Sequence, residues 1–308
     1  MMQEVIFYFA LFAVSLAVLL KASDWFVDAA EEIGLSLGIS PFIIGVTIVA
    51  FGTSLPELAT GIASVLKGES EIVVSTVVGS NITNIALVLG LVAVVVKQID
   101  LEYNIWHIDM PYLWGSAFLF WFMLKDGTYS LFEALLSILG IIVFLAYSFK
   151  SDNNSEEVIR SKANWKSYAF LLLGGVLVYL GADYTIYAIT QLSELANIET
   201  EIISLSAVAL GTSLPEVIVS LAAARKGKAS IAVGNVLGSN IFNTYVVMGI
   251  PALVGKLTIP LEVADIYLPL MIAMTLLFGI MANNKKITRW EGIVLLMFYA
   301  FFVNQLFS

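Results

Sequence analysis

The sequence contains no cysteine and a single histidine, His107. The first absence excludes disulfides and thiolate metal sites, and the second argues against a histidine-based zinc centre or a Ser-His-Asp triad. Charge is scarce as well: Asp, Glu, Lys and Arg make up 13% of the 308 residues, against 59% hydrophobic ones. A soluble chain of that length cannot hide so much apolar surface, so the class is a polytopic membrane protein whose main surroundings are the lipid bilayer. The net charge of −9 argues against nucleic acid as a partner. Met1-Met2-Gln3-Glu4 places no basic residue ahead of the first apolar run, and no small-residue cleavage site follows. That run therefore reads as a retained span rather than a secretory signal.

What is present is a series of long apolar runs. Ten can be marked, at 5–20, 40–65, 72–96, 105–124 and 129–147, and then at 167–180, 198–224, 230–254, 266–282 and 290–307. The fold class is all-α, with ten transmembrane helices. Residues 150–166 are the most polar stretch and form a linker, which divides the chain into a first five-helix repeat, 1–149, and a second, 167–308. Counting Lys and Arg in alternate loops gives 12 on one side and 3 on the other. The richer side is expected to be cytoplasmic, which puts the linker inside and both termini outside a cell membrane.

An internal repeat joins the halves. Gly52-Thr53-Ser54-Leu55-Pro56-Glu57 recurs as Gly211-Thr212-Ser213-Leu214-Pro215-Glu216, at an offset of 159 positions. The same offset joins Gly79-Ser80-Asn81-Ile82-Thr83-Asn84 to Gly238-Ser239-Asn240-Ile241-Phe242-Asn243, Lys67-Gly68 to Lys226-Gly227, and Asp24 to Asp183. Five spans per half is an odd number, so the second half enters the membrane upside down. An inverted repeat with broken helices in matching positions is the architecture of a secondary transporter with a midplane site.

Each Gly-Thr-Ser-Leu-Pro-Glu copy places a carboxylate, a proline and two hydroxyls inside an apolar run. A charge at the centre of a spanning helix costs about 2.5–3.5 kcal/mol on insertion scales. Proline removes a backbone donor and frees the carbonyl four residues earlier, here that of Gly52 or Gly211. Thr53 and Glu57 share a helix face, as do Ser80 and Asn84, and the second half repeats this with Thr212, Glu216, Ser239 and Asn243. The inventory is hard oxygen throughout, which suits calcium better than magnesium or a soft metal. Two carboxylates also match one divalent charge.

Plainer readings stand beside this one. Ser54-x-x-Glu57 and Ser213-x-x-Glu216 match a capping box with Pro just inside the helix start, and a capped half-helix still leaves a carboxylate oxygen free. Ser80 and Ser239 also read as small residues for helix packing, and Asn84 and Asn243 as inter-helix hydrogen-bonding groups. Asp24 and Asp183, near span ends beside Trp25 and Tyr184, read as interface groups, and Glu133 and Glu291 as first-turn residues of their helices.

On the paired GTSLPE motifs, the paired GSN-I-x-N motifs and Ser23-Asp24-Trp25-Phe26-Val27, the chain resembles the cation/calcium exchanger superfamily, and within it the sodium/calcium exchanger branch of prokaryotic type. The proton/calcium branch usually has GNATE where this chain has TSLPE. The resemblance implies a sodium/calcium antiporter working by alternating access, with no cofactor and with calcium and sodium as the transported ions, and it leaves proton/calcium exchange through the same two glutamates as the alternative. It implies that Glu57 and Glu216 are carboxylates shared by calcium and sodium. Thr53 and Thr212 lend a backbone carbonyl to calcium and, with Ser54 and Ser213, oxygens to sodium. Ala50 and Ala209 lend backbone carbonyls to sodium, Ser80 and Ser239 complete the sodium sites, and Asn84 and Asn243 lie at the centre. One departure is that several family members carry aspartate at the position of Asn243, and potassium-dependent ones an acid. Two amides at the centre argue against potassium coupling. The short linker has no room for a regulatory domain, and the chain is expected to act as a monomer. A calcium channel and an intramembrane protease fit less well, since one inverted pair does not make a ring-lined pore and no paired catalytic aspartates lie in the spans.

Overall fold

A computed structural model describes residues 2–101, 109–152, 162–195 and 211–306. His107, most of the linker and the start of the seventh expected span, including Ala209, lie outside the described residues. The described chain is overwhelmingly helical: α1 Met2–Ser36, α2 Pro41–Thr53, α3 Leu55–Lys67, α4 Glu71–Val96, α5 Asp109–Leu124, α6 Leu131–Asp152, α7 Trp165–Leu195, α8 Leu214–Arg225, α9 Ala229–Val254, α10 Val263–Ala282 and α11 Arg289–Leu306. Among the described residues, six helices are long and apolar enough to cross a bilayer, or seven if the bent pair α2–α3 is one span. The protein is a helical, multi-pass membrane protein.

Two helices are much longer than their apolar runs. At about 1.5 Å per residue, the 35 residues of α1 reach about 52 Å, well beyond a hydrocarbon core of about 30 Å. The segment after Leu20 is polar but rich in helix formers, with no proline and no glycine before Gly34, so nothing stops the helix where the apolar run stops. Asp24 and Asp183 consequently lie inside α1 and α7, not at helix ends. The polar part of α1 is held to the turn between α8 and α9. Lys226 bridges Asp24 at 3.3 Å and Asp28 at 2.7 Å, and Lys228 bridges Asp28 at 2.6 Å and Glu31 at 2.8 Å. Burial disfavours the Lys228 ammonium, yet the bonds to Asp28 and Glu31 outweigh it and hold its pKa above the usual lysine value.

Helices α4 and α9 form the interior. In their most apolar stretches 78% and 89% of residues are buried, against 17%, 22% and 28% in α1, α6 and α7, which form the lipid-facing exterior. Glycine lets α2 and α9 meet backbone to backbone. A Cβ on Gly234 would strike the Phe42 carbonyl, one on Gly238 the Val46 carbonyl, and one on Gly45 the Ile231 carbonyl. Among the described residues, four short stretches widen to π-helix, at Gly45–Val49, Asn84–Leu89, Asn243–Val247 and Val263–Tyr267. Two of them begin on the matched asparagines Asn84 and Asn243, and such bulges recur at functional positions.

Two small antiparallel ribbons close the ends. Strand β1, Gln98–Asp100, pairs with β4, Lys286–Thr288, and β2, Thr128–Tyr129, pairs with β3, Leu257–Thr258. Glu133 and Glu291 each cap the helix they begin. Glu133 Oε2 accepts from Ser130 N at 2.5 Å, and Glu291 Oε2 from Thr288 N at 2.6 Å. The first-turn role expected of both is what they perform.

The backbone contact between α2 and α9 gives a test with two opposite signs. Gly238→Ala should destabilise by more than the about 1–3 kcal/mol typical of overpacking, because the obstacle is backbone. Gly115→Ala, in α5 with nothing within 4 Å of the new Cβ, should stabilise by about 0.5–1 kcal/mol. Melting temperatures in detergent that move in the same direction for both would contradict the packing.

Candidate functional site

The site begins with the two helix breaks. The axis bends by 41° between α2 and α3, at Ser54. Ser54 is the N-cap of α3, with Pro56 in its first turn, and Ser213 is the N-cap of α8, with Pro215 likewise. Helix starts therefore fall where the capping-box pattern places them, but the capping bonds are not made. Ser54 Oγ instead donates to Glu216 Oε1 at 3.1 Å, and Ser213 Oγ donates to Ser80 Oγ at 3.2 Å. A bond to a buried carboxylate is stronger than one to a neutral partner, which favours the cross-chain contact of Ser54 over a local cap.

Around these breaks the structure gathers the oxygen-bearing residues of both motifs. Thr53 Oγ1 lies 3.5 Å from Ser239 Oγ, and the matched pair Thr212 Oγ1 and Ser80 Oγ are 3.4 Å apart. Asn84 Nδ2 donates to Asn240 Oδ1 at 3.0 Å. Thr53, Ser54, Glu57, Ser80, Asn84, Ser213, Glu216, Ser239 and Asn243 are all at most 4% exposed, and Thr212 is half-buried. The Ala50 carbonyl accepts from Ser54 N at 3.1 Å and lies 3.3 Å from Thr53 Oγ1, whose single proton can go either to it or to Asn235 Oδ1.

Sequence reasoning assigned no role to three side chains of this interior. Asn235 accepts from Thr53 Oγ1 at 3.2 Å and from Ser239 Oγ at 3.4 Å, while its own Nδ2 donates to Ser220 Oγ at 2.9 Å. Asn81 and Asn240 exchange reciprocal bonds, Asn81 Nδ2 to Asn240 O at 3.4 Å and Asn240 Nδ2 to Asn81 O at 3.2 Å. The rule that a buried amide needs partners, applied to Asn84 and Asn243, reaches all three.

The electrostatic condition of the site is severe. The Ser54 bond to Glu216 brings the second acid to the start of the helix that carries Glu57, so the two buried carboxylates share one interior. Among the described residues no cationic side chain pairs with either, and neither oxygen of Glu57 receives a hydrogen bond from another residue. Glu216 Oε2, Asn84 Oδ1 and both amide atoms of Asn243 are likewise buried without partners. Four side chains thus hold five unpartnered oxygens, with hydroxyls beside them. Buried polar atoms are normally satisfied, and a cluster of hard oxygens of this kind has the chemistry to suit a hard cation, which takes about 6–8 of them.

A multi-pass helical body around an oxygen-rich, doubly acidic interior defines a membrane protein of the ion-exchanging class. The chain belongs to the sodium/calcium exchanger protein family, whose model matches residues 7–150 and 166–307. It is 35% identical to the sodium/calcium exchanger MaX1 of Methanosarcina acetivorans, over 97% of this chain and 98% of that protein. It is 31% identical to the inner membrane protein YrbG of Escherichia coli, over 96% and 94%. The fold is similar to that of the sodium-calcium exchanger NCX_Mj soaked with sodium and strontium, with a TM-score of 0.85 and 31% identity over 96% of this chain and 98% of that one.

Uncompensated buried charge makes a direct prediction about stability. Glu57→Gln should not lower the melting temperature of the cation-free protein at about pH 8, and should raise it under conditions that ionise both acids, because it removes a buried carboxyl whose charged form burial and the second acid both penalise. A variant that melts lower than the parent in chelator would mean that the carboxylate has a stabilising partner.

Proposed function

We propose that the chain is a sodium/calcium antiporter that exchanges the two ions by alternating access through one site between the broken helices. The observation that carries this reading is the pair of buried glutamates, in matched motifs at the helix starts, that no cation among the described residues neutralises. Glu57 and Glu216 are assigned as the carboxylates shared by calcium and sodium. Thr53, Thr212, Ser54, Ser213, Ser80, Ser239, Asn84 and Asn243 are assigned as the neutral oxygens around them, with the Ala50 and Ala209 carbonyls. Calcium and sodium are cargo, and no cofactor takes part.

The same reading includes ten spans in two inverted five-helix repeats, 1–149 and 167–308. Several contacts support it by mapping onto one another under the 159-residue offset. The bond from Asn81 to Asn240 O and that from Asn240 to Asn81 O are one such pair. The contacts Thr53–Ser239 and Thr212–Ser80 are another. The register pair Gln98↔Thr288 maps onto Tyr129↔Leu257, so the two ribbons interchange. Contacts that interchange in this way are what a two-fold relation between halves produces. The bridges from α1 to Lys226 and Lys228 keep the polar part of α1 on the same face as that basic turn, in line with a cytoplasmic basic side and external termini in a cell membrane. One chain holds both halves of the site, so the monomer is the transporting unit.

Proteoliposomes loaded with sodium and diluted into sodium-free calcium medium should accumulate calcium. Glu57→Gln and Glu216→Gln should each abolish uptake while the purified protein stays monodisperse. Calcium at 100 times its Kd should stabilise the parent by about 2.7 kcal/mol, and neither variant should respond. Calcium uptake driven by a pH gradient with no sodium present would replace this reading by proton/calcium exchange. Calcium flux needing no counter-cation would indicate a channel.

A further inference from the structure

Asn240 is 2% exposed and belongs to no ion-ligand set proposed above. Its two hydrogen bonds fix more than its own position. Asn240 Nδ2 donates to the Asn81 carbonyl at 3.2 Å, and Asn240 Oδ1 accepts from Asn84 Nδ2 at 3.0 Å. A backbone carbonyl can only accept, so the Asn240 atom facing it must be the amide nitrogen. The other Asn240 atom is then the oxygen, which can only accept, so Asn84 must turn its nitrogen toward it. That leaves Asn84 Oδ1, fully buried and without a donor, on the opposite side of the amide.

We infer that Asn240 is a positioning residue for ion binding: its hydrogen bonds hold the Asn84 amide so that an oxygen, and not an NH2 group, is offered to the cation. The inference rests on the assignment of Asn84 as a ligand. The two faces of an amide dipole carry opposite signs, so a reversed amide would repel the cation that the correct orientation attracts. The effect is largest for a divalent ion.

The matched position behaves differently. Asn81, the counterpart of Asn240, donates its Nδ2 to Thr244 Oγ1 at 3.0 Å and to Asn240 O at 3.4 Å, and lies 3.6 Å from Met271 Sδ. It makes no bond to Asn243, the counterpart of Asn84, whose amide atoms are both unpartnered. The two central amides are therefore inequivalent. Asn84 is a fixed oxygen donor, whereas no hydrogen bond among the described residues sets which way the Asn243 amide faces.

A double-mutant cycle read out as calcium affinity tests the inference on the full chain in detergent, with melting temperature measured beside it. Asn240→Leu should weaken calcium binding about 10–100-fold, as loss of a group orienting a metal ligand does. Asn84→Ala should weaken it comparably, and the double variant should bind no more weakly than Asn84→Ala alone. If Asn240→Leu does not fold, Asn240→Ala goes through the same cycle. Wild-type affinity in the Asn240 variant overturns the inference, and so do additive losses, since a residue that merely ties α4 to α9 would act independently of Asn84. An unchanged affinity in Asn84→Ala also overturns it, because nothing would remain to be positioned. Failure of the wider site reading is a separate result, visible as retained calcium affinity in Glu57→Gln.

Discussion

Two carboxylates buried in an apolar body, with no cation among the described residues to neutralise them, are the constraint on which the rest of this molecule depends. Each ion withdrawn from water carries a penalty of several kcal/mol, and the pair adds mutual repulsion. Such an arrangement persists only where surrounding structure holds it in place and where a ligand removes the penalty. The helix breaks at Ser54 and Ser213 belong to the same economy of polar groups. They send the Ser54 hydroxyl to Glu216 and the Ser213 hydroxyl to Ser80. The interior is thus strongly attractive to cations and poorly satisfied without them.

Holding the acids in place requires close and rigid helix packing. Lipid offers no hydrophobic drive for helices to associate, so contact depends on shape and on hydrogen bonds between helices. The glycines at 45, 234 and 238 bring α2 against α9 at backbone distance. That approach puts Thr53 within reach of Asn235 and Ser239, which sit on successive turns of α9. A bulkier residue at any of these glycines would push the hydroxyls and amides apart, and with them the oxygens that surround the acids. The glycines therefore bear on function without touching an ion.

Much of this was legible in the sequence, for a physical reason. Charge, proline and hydroxyls inside an apolar run are costly, so Glu57 and Glu216 stood out, and repetition at a fixed offset tied the halves together. The helix starts at Leu55 and Leu214 also followed from local chemistry. The use of Ser54 and Ser213 did not, because capping rules describe one helix, whereas their partners Glu216 and Ser80 come from distant parts of the chain. The true lengths of α1 and α7 were missed because hydropathy marks where a helix leaves the membrane and not where it ends. Asn235, Asn81 and Asn240 carried the right residue type in a plainly apolar setting. Their partners could be assigned only once the packing of α9 on α2, α4 and α8 was known.

The central amides set how charge is distributed when ions are bound. Relatives with an acid at the position of Asn243 can hold a third negative charge there, and this chain cannot. With Glu57 and Glu216 ionised, the site carries two negative charges, which one calcium or two sodium ions neutralise. On the proposed assignment, any further sodium must be held by dipoles alone, those of Ser80, Ser239 and the asparagine amides. Dipoles act over short distances and only when correctly aimed, so the orientation of each amide matters more here than it would beside a third carboxylate. The bond that fixes Asn84 through Asn240, and the lack of any such bond at Asn243, then bear on ion selectivity as directly as the acids do.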